Sequence, residues 1–417
     1  MKLKSIKLEN FKGMEDTKID LDSKSTVLFG VNGVGKSTIL RAINLLYSSI
    51  INKVVQNRFK QGINIELSDI TFGRSYSKLI MDVVFQDKVV LEYSRTMERK
   101  TKKRTHSKEM ESILNRFVNE HLSEDDELSN MPIFVNYSVN RLVIDIPLRI
   151  RNTHIFDKPA AFEKAIESKI DFRTFFEWYR YQEDLENEIK ANGDLKYEDR
   201  ALKATKKAIT TMLENVSNLR VQRNPLSMKV DKDGVSLSVD QLSDGEKCTL
   251  ALLGDLTRRL SLANPSLENP LNGEGVVLID EIELHMHPAW QRRILATLKS
   301  LFPNIQFIVT THSPQVLGEI GKDFNIISLN KDGKQITITK IGNLEGWDSN
   351  YILETFMETS SIKIETKREI SKMYKLISEK NYDEAQKIAD ELEYKTNKNN
   401  PDVINARMLI MKGRRGL

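Results

Sequence analysis

The sequence predicts an α/β protein in which a mixed sheet is interrupted by a helical insertion and followed by a helical tail. A glycine-rich turn at residues 30–37 joins a β-prone segment to an apolar helix. The short apolar runs 275–279 and 306–310 are typical of strands buried in a parallel sheet. Between the glycine-rich turn and these runs, the charged stretch 96–220 carries apolar residues at helical spacing.

The order of elements follows from local patterns. Residues 3–8 alternate apolar and polar, and residues 24–29 are β-prone, so the chain opens with strands. Hairpins are predicted at 80–93, at 226–239 and around 331–333, each with turn residues between apolar runs. Four regions result: the N-terminal segment of a head domain (residues 1–95), a mainly helical insertion (residues 96–220), the C-terminal segment of the head (residues 221–345) and a helical tail (residues 346–417).

Composition limits the class of protein. The net charge of +4 over 417 residues permits a local nucleic-acid-binding patch but does not argue for one. A single cysteine, Cys248, excludes an intramolecular disulfide framework and favours a reducing compartment. No apolar leader and no run of about 18 apolar residues is present, so we expect a cytoplasmic protein that does not enter the membrane.

The turn Gly30-Val31-Asn32-Gly33-Val34-Gly35-Lys36-Ser37 fits the phosphate-loop pattern GxxxxGK[ST] in its required context between strand and helix. Backbone N–H groups at such a helix start face nucleotide phosphates, and Lys36 would reach the β- and γ-phosphates. Ser37 would ligate Mg²⁺. The predicted ATP-binding residues are Gly30, Asn32, Gly33, Gly35, Lys36, Ser37 and Thr38.

Two carboxylates follow the buried strand 276–279, at the end where parallel sheets bind ligands. Asp280 is expected to hold Mg²⁺ through its water shell, and Glu281 to orient or deprotonate the attacking water. Alone, the pair could equally be the N-cap and first turn of a helix. The phosphate loop upstream favours ATP hydrolysis, with ATP and Mg²⁺ as cofactors.

A third motif, Leu242-Ser243-Asp244-Gly245-Glu246-Lys247, precedes a long predicted helix. It resembles the signature of ABC ATPases in its recombination-and-repair form. The resemblance implies an ABC-type head with a RecA-like P-loop core and two nucleotide sites that form head to tail between subunits. Ser243, Gly245 and Glu246 would then act in trans, with Ser243 and the Gly245 backbone at the γ-phosphate. Ser243 and Glu246 also fit a capping box, which needs no nucleotide.

His312 follows the strand 306–309, where the resembled family has a switch histidine that senses the γ-phosphate. Glu281 and His312 are therefore the predicted catalytic residues. His285 and His287 are interpreted as members of a subunit-contact segment, with a metal site as the alternative. Asp69 or Gln61 could supply the glutamine-loop position, and the sequence does not decide between them.

Longer segments indicate a branch of the family. Residues 6–13 and 279–283 are similar to repair, SMC-like and overcoming-lysogenization-defect ATPases. Residues 175–188 and 347–353 resemble PtuA-like ATPases of the Septu and retron anti-phage systems. In the alternative interpretation, these two segments are simply a helix core and an amphipathic helical hairpin. The insertion is too short for the coiled coil of true SMC proteins.

This resemblance implies a regulatory ATPase that assembles as a homodimer or a higher oligomer and controls a separate nuclease. In Septu the effector is an HNH nuclease of the PtuB type, and some systems add a reverse transcriptase and its DNA product. Two alternatives stay open: a RecF-like or SMC-like repair and recombination ATPase that binds DNA, and an ATP-driven clamp with slow hydrolysis.

A basic stretch at the start of the insertion could contact nucleic-acid phosphates, although such a run is more often a solvated loop. Interleaved aromatic residues, which would stack on bases, are absent from it. Its members are Arg95, Arg99, Lys100, Lys102, Lys103, Arg104 and Lys108.

Overall fold

A computed structural model gives the fold. It describes residues 1–55, 63–84, 90–107, 112–113, 128–139, 154–167, 169–332, 335–357, 364–395 and 400–415. The contacts divide the chain into two compact units, Met1–Ser349 and Asn350–Leu417. In the described residues, no helix is both long enough and apolar enough to cross a membrane.

The centre of the first unit is a six-stranded mixed sheet, as predicted. Its strand order is β14-β13-β3-β12-β11-β7, and every pairing is parallel except that of β13 with β14. All residues of β3, β12, β11 and β7, which are consecutive in this order, are buried. Such burial suits a parallel sheet covered on both faces. The strands are β3 (Ser25–Phe29), β7 (Ile133–Tyr137), β11 (Gly275–Ile279), β12 (Ile305–Thr311), β13 (Phe324–Asp332) and β14 (Gln335–Ile341).

A second, antiparallel sheet precedes and follows the phosphate loop in sequence. Its order is β2-β1-β4-β5-β6, and β1 and β4 alternate buried and more exposed residues because one face packs inward. The pairing of β4 with β5 confirms the hairpin predicted over 80–93, while its turn residues 86–87 lie outside the described residues. The strands are β1 (Lys2–Phe11), β2 (Met14–Asp20), β4 (Tyr76–Val84), β5 (Val90–Glu98) and β6 (Arg104–His106).

A three-stranded meander, β10-β9-β8, leads into the signature segment. Its strands are β8 (Val216–Arg223), β9 (Leu226–Lys232) and β10 (Val235–Ser238). Asp233 and Gly234 both have positive φ, at 50° and 81°, which permits the tight turn between β9 and β10. The predicted hairpin over 226–239 is thereby confirmed.

Helices cover the sheets. In the first unit they are α1 (Lys36–Val54), α2 (Phe172–Ala191), α3 (Arg200–Met212), α4 (Asp244–Ala263), α5 (Pro288–Leu301) and the short α6 (Pro314–Leu317). The aromatic residues 175–179 of α2 are buried, and a Cβ on Gly254 of α4 would lie 2.7 Å from the Phe175 ring. Glycine at this position therefore lets α2 and α4 pack closely.

The region 96–220 is not purely helical. It begins inside β5 and contains β7, which pairs in parallel with β11 and so belongs to the central sheet. The sequence pattern did not predict this strand. The helical content of the region, in the described residues, is α2, α3, a 3₁₀ turn, Lys158–Phe162, and the helical residues 112–113.

The second unit is helical. Residues of three helices form its apolar core, including Met373, Leu392 and Val403. Ion pairs cross its surface, among them Lys395 with Glu369 at 2.6 Å and Arg414 with Asp383 at 2.6 Å. The helices are α8 (Ile364–Ser378), α9 (Tyr382–Lys395) and α10 (Pro401–Arg414), preceded by α7 (Ser349–Phe356).

Candidate nucleotide site

The phosphate loop lies between β3 and α1, and its glycines have the backbone that it needs. Gly30, Gly33 and Gly35 have φ of 146°, 76° and 109°, a region that side chains disfavour. A Cβ on Gly30 would also lie 2.2 Å from the carbonyl oxygen of Leu329 in β13. Asn32 and Gly33 are exposed at the tip, and α1 begins at Lys36. The loop therefore presents its backbone and the start of α1 to solvent.

Lys36 is held inside this loop. Its Nζ donates to the carbonyl oxygens of Gly30 at 2.8 Å and Val31 at 3.0 Å, and lies 3.4 Å from Nδ1 of His312. Burial lowers the pKa of the Lys36 ammonium to about 8, even though nearby carboxylates oppose the change. The ammonium is thus held by the loop carbonyls, and a bound phosphate would add compensating negative charge.

Asp280 joins the phosphate loop to the central sheet. Its Oδ1 accepts from the Ser37 hydroxyl at 3.1 Å and from the Thr310 hydroxyl at 2.5 Å. Its backbone N–H donates to the carbonyl oxygen of Tyr137 in β7 at 2.9 Å. Ser37 and Asp280, predicted as the Mg²⁺ ligands, are therefore adjacent. A hydroxyl beside a carboxylate fits Mg²⁺, which prefers oxygen ligands.

Glu281 follows at a turn with φ of 47°, an uncommon conformation for a residue with a side chain. Its N–H donates to the Thr310 hydroxyl at 2.8 Å, and the N–H of Ile282 donates to the Thr310 carbonyl at 3.0 Å. Thr310, near the end of β12, therefore holds the Asp280 carboxylate and the backbone of Glu281. No motif in the sequence had given Thr310 a role.

His312 is oriented by a second residue that was not predicted. The Glu283 carboxylate accepts from the backbone N–H of His312 at 2.6 Å and from the Thr311 hydroxyl at 2.8 Å. Burial, followed by the charge of Lys36, lowers the pKa of His312 and keeps the ring neutral. A neutral ring can accept from Lys36 at Nδ1 and present its N–H at Nε2. The signal for Glu283 was present in the sequence as a third acid two residues after Glu281.

The signature segment begins α4. The Ser243 side chain caps the helix, and the Glu246 carboxylate accepts from the Ser243 N–H at 2.9 Å and hydroxyl at 2.7 Å. Glu246 also pairs with Lys232 at 2.7 Å. Gly245 packs against the chain after Glu281, since a Cβ there would lie 2.5 Å from the His285 carbonyl oxygen. Among the described residues, the N–H and side chain of Ser243 bond to Glu246, and its carbonyl oxygen accepts from the Lys247 N–H at 2.9 Å; none of these bonds reaches the phosphate loop.

Two further sequence candidates, Asp69 and His287, have local structural partners. Asp69 is buried, pairs with Arg41 at 3.1 Å and Lys12 at 3.4 Å, and accepts from the Glu66 N–H. Its carboxylate is thus occupied by the protein itself, and Gln61 lies outside the described residues. Nδ1 of His287 accepts from the Ala289 N–H at 3.3 Å and so caps α5. In the described ranges, no group of three or more metal-binding side chains occurs.

The strand order and these residues define a class. The phosphate loop follows β3, the pair Asp280-Glu281 follows β11, and His312 follows β12. These three strands are consecutive and parallel in the central sheet. This is the head of a P-loop ATPase of the ABC and SMC type. The family described as "AAA domain, putative AbiEii toxin, Type IV TA system" (AAA_21) matches residues 25–318, and the chain belongs to it.

Relatives in this family cover most of the chain. It is 33% identical to the "Retron Ec83 probable ATPase" of Escherichia coli, over 86% of this chain and 77% of that protein. It is 30% identical to the "Retron Vc95 probable ATPase" of Vibrio cholerae, over 90% of this chain and 82% of that protein. The "Septu protein PtuA" of Bacillus thuringiensis is 22% identical, over 85% and 84%.

Solved structures support the fold. The chain matches an SMC head bound to the C-terminal winged-helix domain of ScpA, with a TM-score of 0.52 and 15% identity. That match covers 82% of this chain and 98% of the other. An SMC head from Pyrococcus furiosus, with an extended coiled coil, matches with a TM-score of 0.50 and 14% identity, over 82% and 96%.

Proposed function

We propose that this protein is the ATP-binding and ATP-hydrolysing regulatory subunit of an anti-phage defence complex. The names of its retron and Septu relatives support the defence context. The observation that carries the ATPase activity is the convergence of Lys36, Ser37 and Asp280 at the ends of β3 and β11, the two parallel strands on either side of β12. The single, buried cysteine suits a reducing compartment, and we propose the cytoplasm as its location.

In the proposed reaction, the loop N–H groups and Lys36 would hold the β- and γ-phosphates, and Ser37 and Asp280 would hold Mg²⁺. The ion would neutralise charge that develops on the phosphates. Glu281 accepts a proton from the attacking water, or orients it. His312, fixed by Glu283, donates to the γ-phosphate from Nε2.

We further propose that two copies meet head to tail, so that Ser243 and Gly245 of one copy complete the site of the other. The geometry within one chain supports this, because Ser243 caps its own helix and the helix start faces the segment at His285 instead of the phosphate loop. A helix N-terminus favours an incoming anion. ATP would thereby join the two copies.

We propose that this ATPase controls a separate nuclease of the HNH, PtuB-like type. In some systems a reverse transcriptase and its DNA would also take part. The competing candidate is a DNA repair ATPase. It is favoured by a match to the "DNA replication and repair protein RecF" of Geobacter, 33% identical over 25% of this chain and 26% of that protein. A match of this extent is also what a shared ATPase core would give.

Glu281→Gln tests hydrolysis apart from binding. We expect turnover to fall by about a hundredfold or more, with ATP still bound, because the amide cannot accept the proton. Glu319→Gln, at an exposed carboxylate just after α6, is the matched control and should keep wild-type turnover. Normal turnover in Glu281→Gln would overturn this assignment.

A mixing experiment tests the head-to-tail arrangement. Lys36→Ala removes the phosphate-loop cation and Ser243→Arg blocks the signature, so each variant alone should be inactive. In a head-to-tail dimer of the two, one site has both intact halves, so an equal mixture should regain about a quarter of wild-type turnover. If the mixture stays inactive while both variants fold and exchange subunits, the sites do not form in trans.

Co-purification decides between the two proposed contexts. The chain is expressed with the products of its neighbouring genes and isolated with and without ATP. A nuclease recovered in fixed ratio, and released or activated as ATP changes, supports the defence role. The ATPase recovered alone, with turnover stimulated by DNA, supports the repair role.

A further inference from the structure

One phenylalanine in the first unit lies entirely in solvent. Phe72 is 100% exposed at the tip of the turn 71–74, between α1 and β4. The Arg74 N–H closes this turn by donating to the Thr71 carbonyl at 3.0 Å, and Gly73 supplies the positive φ of 80°. Single exposed apolar residues are common on proteins, so Phe72 alone identifies nothing. The residues around Phe72 indicate a role for it.

The turn is anchored to the basic stretch by Arg99. The guanidinium donates to the carbonyl oxygens of Ile70 and Arg74, both at 3.0 Å, and so spans the base of the turn. The Arg99 N–H also donates to the carbonyl oxygen of Ser75 at 2.8 Å. The Gly13 N–H donates to the Thr71 hydroxyl at 3.0 Å from the other side. Phe72 is therefore displayed by an ordered turn.

The basic stretch forms the β5–β6 hairpin, and most of its charges face water. Lys100, Lys102, Lys103 and Arg104 are exposed, and none makes an ion pair with a carboxylate in the residues described. The hairpin's own acid, Glu98, accepts from the Thr101 hydroxyl at 2.7 Å. Over 98–104 the net charge is +4, from five cations and one carboxylate. This hairpin and the Phe72 turn are together called the Phe72 platform.

The remaining members of the basic stretch are different. Arg95 is buried and donates to Ser48 at 2.8 Å and Asn64 at 2.7 Å, so it is a structural residue and not a surface phosphate contact. Lys108 lies outside the described residues.

The cationic surface has a boundary on one side. Arg74 is neutralised by Glu15 at 2.6 Å. Arg74 and Glu15 line a groove with Glu9 and Asp16, whose carboxylates pair with Lys7 at 2.9 Å and 3.1 Å. The charges on this side are therefore largely paired, whereas the hairpin carries an excess of positive charge.

We propose that the Phe72 platform binds single-stranded nucleic acid, with a base stacked on the Phe72 ring and phosphates at the lysines of the hairpin. A free aromatic face beside unpaired cations is the combination that single-strand-binding proteins use. A duplex hides its base faces, so the ring selects for an unpaired strand. The stacking residue, absent from the basic stretch itself, is supplied by a separate loop. The inference is independent of the nuclease-control proposal.

Fluorescence anisotropy with labelled oligo-dT and oligo-U tests the platform on the full-length protein. Phe72→Ala should weaken binding by about tenfold, and Phe72→Trp should restore it, because stacking is the contribution removed. Lys102→Ala/Lys103→Ala should lower the slope of log K against log salt by about 1.4, the value for two phosphate contacts on a single strand. Tyr394→Ala, also a highly exposed aromatic, and Lys196→Ala/Lys207→Ala are the matched controls and should change neither quantity.

Three competitors define the outcome. Unlabelled single strands should displace the probe, whereas an equal concentration of duplex should displace it at least tenfold less well. If polyglutamate displaces the labelled probe as effectively as oligo-dT does, the surface binds acidic proteins and the proposal is overturned. Binding that is unchanged in Phe72→Ala, or equal for duplex and single strand, would overturn it as well. ATP turnover of every variant is measured alongside to confirm folding.

Discussion

The hydroxyl of Tyr137 donates a 2.8 Å hydrogen bond to the carboxylate of Asp255, and both side chains are fully buried. Tyr137 ends β7, and its carbonyl oxygen accepts from the N–H of Asp280 at 2.9 Å. Asp255 lies on α4, the helix that begins with the signature. The buried Tyr137–Asp255 hydrogen bond thus links β7, whose last residue accepts from the Asp280 N–H, to the signature helix α4 of the same chain.

Asp255 is also paired with two arginines of its own helix, Arg258 at 2.8 Å and Arg259 at 2.7 Å. The Arg258 guanidinium also donates to the carbonyl oxygen of Ala160 at 3.3 Å, and the Arg259 guanidinium donates to that of Ala161 at 2.7 Å. We expect Asp255→Asn to destabilise the protein by about 3–5 kcal/mol, because it leaves buried cations without their anion. Urea unfolding measures this, and Glu379→Gln, which breaks an exposed pair at 3.9 Å, should cost about 0–1 kcal/mol.

The pH dependence of the same variant gives a second readout. Burial alone would raise the pKa of Asp255, but Arg259 and Arg258 lower it to about 2. A folded-state pKa below the unfolded value of about 3.9 stabilises the protein above that value, and the contribution is lost as pH falls towards 2. Between pH 4 and 2, wild-type stability should therefore fall more steeply than that of Asp255→Asn. Parallel curves would contradict the ionised state of Asp255.

Lys36 should make ATP binding depend on pH. Since its pKa is lowered to about 8 by burial, the free protein loses the Lys36 proton above that pH. ATP phosphates stabilise the charged form, so binding above pH 8 must take up a proton, and Kd should rise up to about tenfold per pH unit. Calorimetry on Glu281→Gln in two buffers of different ionisation enthalpy measures the uptake at pH 7 and pH 9. Lys36→Arg should abolish it, and equal uptake at both pH values would contradict the lowered pKa.

Gly245 should tolerate no larger residue. An added Cβ would lie 2.5 Å from the backbone oxygen of His285, and backbone cannot move aside as a flexible side chain can. We expect Gly245→Ala to cost about 1–3 kcal/mol by overpacking, although alanine is otherwise the better helix former. Gly342→Ala is the control, because nothing lies within 4 Å of its added Cβ. A Gly245→Ala protein as stable as wild type in urea would mean that the turn at His285 yields easily.

His312 should act on turnover more than on ATP affinity. Its backbone N–H is held by Glu283, so loss of the ring leaves the loop in place. We expect His312→Ala to lower kcat by about a hundredfold with a KM near that of wild type. Glu283→Gln, a positioning variant, should lower kcat less and shift its pH profile. His106→Ala, on exposed β6, is the control. A rise in KM with unchanged kcat would reassign His312 to ground-state binding.

Local patterns predicted the central sheet and the strands after which Lys36, Asp280 and His312 follow, because each motif carries its own strand or helix context. Their individual roles remain predictions. β7 escaped prediction because it has only five residues and pairs with residues 275–279, far along the chain. Thr310 and Glu283 have no motif of their own. Phe72 and Arg99 are brought together only by the pairing of β4 with β5.

The position of β3 also decides when this protein can become functional during its synthesis. β3 carries the phosphate loop, but its strand partners are β12, residues 305–311, and β13, residues 324–332. At a ribosomal rate of roughly 5–20 residues per second, the nascent phosphate loop waits roughly 15 to 60 s for both neighbours. Until then its apolar strand is exposed to misassociation and its loop cannot hold ATP. A truncated translation product therefore contains the complete phosphate-loop sequence and no nucleotide site.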